Sequence, residues 1–141
     1  MEKVTNETAT RLRYAITRLN RRLRQSALGG VSPAQASLLA VVSRLKRPSL
    51  GDLATAEQIS PPSVTRLVRD MERLGLIERV ADDVDRRCTR VTITASGRHE
   101  LAAIRRRKDE FLERALDALP EAERRRAGEL ATLLETILEQ S

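Results

Sequence analysis

The stretch from residue 49 to residue 97 restricts this chain more than any other, because two short serine-led helical runs are followed there by two β-rich runs around a polar loop. Ser49 stands before Leu50-Gly51-Asp52-Leu53-Ala54, so a hydroxyl and an acid three residues on can answer the orphan backbone donors of a helix start. The next run opens Ser60-Pro61-Pro62-Ser63. Ser60 suits an N-cap, and proline is harmless in a first helical turn, where its missing N–H has no intrahelical partner to lose. Val64, Leu67, Val68, Met71 and Leu74 then recur at steps of three and four, which predicts one apolar stripe facing a core. The opposite face carries Ser63, Arg66, Arg69, Asp70 and Arg73. Gly75 predicts the stop, since glycine takes positive φ freely. Taken alone, an ordinary amphipathic surface helix reads the same way.

The residues that follow narrow the choice. Residues 76–80 and 89–94 are β-rich, and the second run alternates, with Val91 and Ile93 on one side and Arg90, Thr92 and Thr94 on the other. Between them lies Ala81-Asp82-Asp83-Val84-Asp85-Arg86-Arg87-Cys88, too polar for a core. Adjacent arginines at a ribbon tip can reach the negative potential of a minor groove or clamp the phosphates beside it. Asp85, next to Arg86, can hold a guanidinium through a charge-assisted bond. A solvated turn with incidental charge is the alternative. Helix, turn, helix and ribbon in this order predict a winged helix-turn-helix, whose basic second helix can enter a major groove, bond guanine through arginine and neutralise phosphate.

Three spaced elements carry a resemblance: Leu74-Gly75-Leu76-Ile77-Glu78-Arg79, Asp82-Asp83-Val84-Asp85-Arg86-Arg87 and Val91-Thr92-Ile93-Thr94-Ala95-Ser96-Gly97. Their order and spacing resemble the signature of the MarR-type (multiple-antibiotic-resistance regulator) transcription regulators, and the resemblance extends over the whole chain. It implies a mainly α fold with a small β-hairpin, in which residues 31–95 form a winged helix-turn-helix DNA-binding domain. Residues 1–30 and 96–141 would then form a helical dimerisation region. One departure is Asp83, where the family usually has proline. On this reading Pro61, Pro62, Ser63, Thr65, Arg66 and Arg69 line the groove. Ser63, Thr65 and Arg66 are the base readers, Arg69 and Arg73 lie nearer phosphates, and Asp85, Arg86 and Arg87 belong to the wing.

The flanks read as helices. Over residues 5–25, Ala9, Leu12, Ile16, Leu19 and Leu23 fall on one stripe, closed by Gly29-Gly30. Ser32-Pro33 opens the next helix, which carries Leu38, Leu39, Ala40, Val41, Val42 and Leu45. After the β-rich runs, Thr94 or Ser96 can cap a long helix with Leu101, Ile104, Phe111, Leu112, Ala115 and Leu119. Pro120 then separates it from a last helix bearing Leu130, Leu133, Leu134, Ile137 and Leu138. Periodicity leaves open whether these ends complete a monomeric core or meet a second copy. The resemblance implies the second, with Leu12, Ile16, Leu19, Leu119, Leu130, Leu134 and Ile137 in the interface. A two-fold dimer would set its recognition helices about 34 Å apart and predict a palindromic operator in double-stranded DNA.

Composition agrees without deciding. Among 141 residues, 26 Lys+Arg oppose 20 Asp+Glu, a formal charge of +6 that favours a polyanionic partner, nucleic acid or an acidic membrane surface. No apolar run approaches the roughly 20 residues that span a bilayer, and the polar start is unlike a signal peptide, so a soluble, cytoplasmic protein is expected. One cysteine and one histidine cannot build a structural zinc site, and no Walker or Rossmann glycine loop is present, so no metal or cofactor is expected. The same poverty of nucleophiles and bases argues against an enzyme. Cys88, near Arg86, Arg87 and Arg90, invites a thiol-sensor reading beside that of a plain hairpin cysteine, and His99 reads as a surface residue. A winged helix that binds an acidic protein is a further alternative. The resemblance also implies a repressor released by a phenolic compound or aromatic acid held between the dimer helices and the reading lobe. Tyr14 and Phe111 are the aromatic rings for stacking, and Arg18 is a cation for the carboxylate.

Overall fold

The computed structural model describes residues 3–27 and 29–141. In chain order it runs α1 (Asn6–Ser26), α2 (Pro33–Leu45), α3 (Leu50–Glu57), α4 (Pro61–Arg73), β1 (Ile77–Ala81), β2 (Thr89–Ile93), α5 (Ala95–Asp117), α6 (Glu121–Arg124) and α7 (Ala127–Glu139). The starts of α1 to α5 follow hydroxyl residues. Ser32 accepts from Gln35 N at 3.1 Å while Gln35 accepts from Ser32 N at 2.9 Å. Ser49 and Asp52 form the same reciprocal box at 3.0 and 2.9 Å. Ser60 accepts from Ser63 N, and Thr94, not Ser96, caps α5 by accepting from Gly97 N at 3.0 Å. Each such cap contributes about 1 kcal/mol.

The turn between α3 and α4 is short because Gln58 adopts the left-handed conformation, φ 54°, with its N–H returned to the carbonyl of Thr55. Past α4, Gly75 at φ 74° closes a paired C-cap: its N–H meets Glu72 O at 2.9 Å and Leu76 N–H meets Met71 O at 3.1 Å. That reversal turns Leu76 inward and feeds β1. β1 and β2 pair antiparallel, with Ile77 opposite Ile93 and Arg79 opposite Val91. The α2–α3 connection joins the ribbon's edge, since Val91 N–H donates to Pro48 O at 2.9 Å and Ser49 bridges Arg90.

The core is complete without the outer helices. Leu38, Leu39 and Val42 of α2, Leu53 of α3, Val64, Val68 and Met71 of α4, Ile77 and Val91 of the hairpin, and Leu101 and Ile104 of α5 are buried together. Each fully buried aliphatic side chain of this kind is worth about 1.5–3 kcal/mol. Gly97 lets α5 sit directly on the hairpin, since a Cβ there would overlap Leu76 O and stand 2.7 Å from Ile93 Cγ1.

Several expectations are corrected. Leu74 leaves the α4 stripe and is 49% exposed, because it is the C-cap residue at which the chain turns away. α1 ends at Ser26 with Ala27 as its cap, before Gly29-Gly30, although Gly30 does take φ 93°. Two helices stand where one was expected beyond Pro120, a single turn (α6) preceding α7. Of the end helices, α5 gives Leu101 and Ile104 to the core, whereas neither α1 nor α7 has a buried residue in the single chain.

Candidate nucleic-acid interface

α4 is anchored by Val64, Val68 and Met71, with Leu67 packed beside them, so its opposite face points to solvent. Pro61, Pro62, Ser63, Arg66, Arg69 and Arg73 are all exposed, and Thr65 is half-exposed. The two hydroxyls differ in freedom. Ser63 Oγ shares a 2.8 Å bond with Ser60 Oγ, whereas Thr65 Oγ1 donates to Pro61 O at 3.1 Å and keeps only its lone pairs for a ligand. Arg66 and Arg69 have no acidic partner among the described residues. Arg73 lies 3.7 Å from Asp70 at an exposed site, where such a pair is weak.

The wing loop is organised by Asp85, which holds a guanidinium as the sequence suggests, though that of Arg87. Asp85 accepts from Arg87 Nε and from Arg87 backbone N, both at 3.1 Å, rather than from its neighbour Arg86. Residue i+2 wins because the turn brings its N–H and its guanidinium to the same carboxylate. These bonds from Arg87, side chain first, hold the Asp85 carboxyl below the usual carboxylate range. Arg86 is left exposed with no ion pair among the described residues. The loop closes through Cys88 N to Asp85 O at 2.9 Å and Asp82 N to Cys88 O at 3.0 Å. Cys88 is exposed, with Sγ 3.7 Å from Asp85 Oδ2. Of the arginines near it in sequence, Arg87 is turned onto Asp85 and Arg90 onto the base of the wing.

Three arginines whose partners come from other elements of the fold escaped the sequence reading. Arg79 Nε donates to Glu72 at 2.7 Å, tying the first strand to α4. Arg90 reaches Arg47 O at 3.4 Å, Asp52 at 3.5 Å and Asp82 at 3.7 Å, which pins the wing's base to the start of α3. Asp52 is held below the usual carboxylate range, first by its bond from Ser49 backbone N and then by the Ser49 side chain. Arg107 Nη1 donates to Ala27 O at 3.1 Å across the molecule.

Of the expected effector residues, Tyr14 and Arg18 meet in the single chain and Phe111 lies apart from them. Arg18 stacks on the Tyr14 ring at 5.4 Å, and both line a shallow hollow formed by α1 alone, without Phe111. A separate cavity of about 190 Å³ lies where α1, α2 and α5 meet, lined by Asn20, Arg24, Ser37, Ile104 and Lys108 among others. Leu12, Ile16, Leu19, Leu119, Leu130 and Ile137 are exposed and Leu134 is half-exposed, so the apolar stripes of the end helices lie open in the single chain. His99 is exposed. No helix of the described residues is long and apolar enough to cross a membrane.

Known proteins share this arrangement. The family model for the MarR family matches residues 29–87. An HTH-type transcriptional regulator of Mycobacterium tuberculosis is 31% identical over 134 residues, covering 94% of each chain. The crystal structure of a putative transcriptional regulator of Pseudomonas aeruginosa superposes with a TM-score of 0.81 at 35% identity, over 96% of this chain and 99% of that one. A variant of Staphylococcus aureus MepR bound to an oligodeoxyribonucleotide shares the fold, with a TM-score of 0.71 at 23% identity, over 96% of this chain and 99% of that one. The chain belongs to the MarR family of DNA-binding, winged helix-turn-helix transcriptional regulators.

Proposed function

We propose that the protein is a cytoplasmic homodimeric repressor that reads a palindromic operator and is released by a small anionic ligand. The observation that carries the dimer is the open apolar stripes of α1 and α7 beside a reading head whose core is already closed. Such stripes need cover, and a second copy supplies matching ones. In the dimer, residues 31–95 act as the DNA-binding domain together with the start of α5, whose Leu101 and Ile104 lie in its core, and α1 and the rest of the C-terminal segment form the interface. α4 enters the major groove, where Ser63, Thr65 and Arg66 read bases, Pro61 and Pro62 set the approach, and Arg69 and Arg73 meet phosphates. Arg86 and Arg87 serve the adjacent groove, with Asp85 fixing the second of them. Support for a DNA ligand also comes from MepR, solved on an oligodeoxyribonucleotide with the same fold.

For the effector, the cavity between α1, α2 and α5 suits a carboxylate better than the Tyr14–Arg18 stack does. It offers Arg24 and Lys108 as cations, Asn20 and Ser37 as hydrogen-bonding groups, and Ile104 as an apolar wall. It contains no aromatic ring, so the ligand's own ring would rest on aliphatic carbon. Release requires that the ligand prefer a state with displaced reading helices, since equal affinity for both states shifts nothing.

Light scattering combined with binding to duplexes selected from a random pool tests the reading. A dimer that enriches a two-fold symmetric site, with affinity falling about 0.9 log units per tenfold salt for each phosphate contact, is the expected result. A monomer, or binding without sequence preference, overturns it.

A further inference from the structure

α1 ends against the head at a joint built around one side chain. Arg107, on α5, donates from Nη1 to the Ala27 carbonyl at 3.1 Å, just past the last turn of α1. The same Nη1 lies 3.6 Å from Glu100 Oε1, a contact of ion-pair length rather than a hydrogen bond. That oxygen is sealed from solvent and has no hydrogen-bond partner among the described residues, so the arginine's charge is what compensates it. Gly29 lies over the guanidinium: a Cβ built there would stand 2.7 Å from Nη2 and closer still to the rest of the group. Gly29 has no positive φ, so a side chain at this position would push the guanidinium aside without straining the backbone. α5 packs on α1 and also on α2 and β2. The guanidinium therefore couples the end of the arm to the scaffold of the reading head.

We propose that Arg107 is a positioning residue for DNA binding, its seat between Ala27, Gly29 and Glu100 fixing the angle between arm and head and hence the half-site spacing that the dimer accepts. This rests on the homodimer reading above. The leverage is large. Tilting a helix of 21 residues, roughly 30 Å long, by about 10° moves its far end by about 5 Å, more than the roughly 3.4 Å rise of one base pair. A two-fold axis doubles the error between the two reading helices.

The test uses the full-length protein and a duplex that the wild type selects from a random pool, rebuilt with one or two base pairs added or removed between half-sites. Affinities for this spacer series are read by fluorescence anisotropy, alongside helical content and light scattering. Arg107→Leu should bind the selected spacing about tenfold more weakly and lose the wild type's discrimination against altered spacers, while remaining a folded dimer. Arg107→Lys should restore part of both. Gly29→Ala should reproduce the loss with Arg107 intact, and the double variant should be no worse than either single one, because both act on the same seat. A folded Arg107→Leu dimer with wild-type affinity and spacer preference overturns the proposal, as does a double variant whose losses multiply. Should Arg107→Leu not fold, Gly29→Ala decides by the same two readouts. A wild type that shows no spacer preference removes the homodimer reading itself, and is told apart because no variant is involved.

Discussion

Arg66 and Arg73 sit on the same helix face and differ in what else they touch. Arg66 has no acidic neighbour among the described residues and sits mid-helix, whereas Arg73 lies in the last turn beside Asp70. Replacing Arg66 with Ala should cost about 1–3 kcal/mol at one operator position and relax the preference there, while Arg73→Ala should weaken all sequences alike and reduce the salt slope by about 1. Binding to a set of single-base operator variants at two salt concentrations checks both. Asp52 carries a pH prediction. Bonded by Ser49 and close to Arg90, it has a folded-state pKa below its unfolded one. Its contribution is therefore intact above the ordinary carboxylate range and is lost as pH falls through the folded value. Urea unfolding of wild type and Asp52→Asn across acid pH should show a stability gap that is constant near neutrality and closes at the acid end. Among residues, the partners that were legible in the sequence are those three positions apart, Ser49 with Asp52 and Ser60 with Ser63. Arg79, Arg90 and Arg107 were not, because Glu72, Asp52 and Ala27 come near only after the chain has folded.

Elements were legible wherever a period and a punctuating residue agreed. The stripe of Val64, Val68 and Met71 and the serine before it placed α4, and the alternation around Val91 placed β2. α6 was not, since a single turn has no period to detect; Leu74 kept the period but passed the helix end, where the period no longer says which way a side chain faces. The packing of elements on one another adds what periodicity lacks. α5 touches the hairpin base at Gly97, where a Cβ would meet the carbonyl of Leu76, a backbone atom with no rotamer to escape into. Gly97→Ala should therefore push α5 away from Leu76 and Ile93 at the hairpin base and destabilise the head by about 1–3 kcal/mol, as overpacking does. Thermal unfolding of the variant checks it. An unchanged midpoint would mean that the close approach is not maintained in solution.

At the scale of the whole molecule, the buried core and the open apolar stripes lie in different parts of the chain. The head holds a core that runs from Leu38 to Ile104, whereas α7 has no buried residue in the single chain and would gain cover from the partner in the proposed dimer. A charge placed in that stripe should separate assembly from folding. Ile137 is 44% exposed in the single chain, so Ile137→Asp removes no buried packing there but places a carboxylate in the proposed interface. The variant should run as a monomer by light scattering and keep the helical signal of the head. It should lose the rise of melting temperature with protein concentration that is expected of a wild-type dimer. Operator binding should weaken by about 10²–10⁴-fold, because each half-site is then held without the effective concentration that the second head provides. Binding to an isolated half-site should change little, since α4 and the wing are untouched. A variant that stays dimeric, or that loses half-site and full-site binding equally, would place the interface elsewhere than on α7.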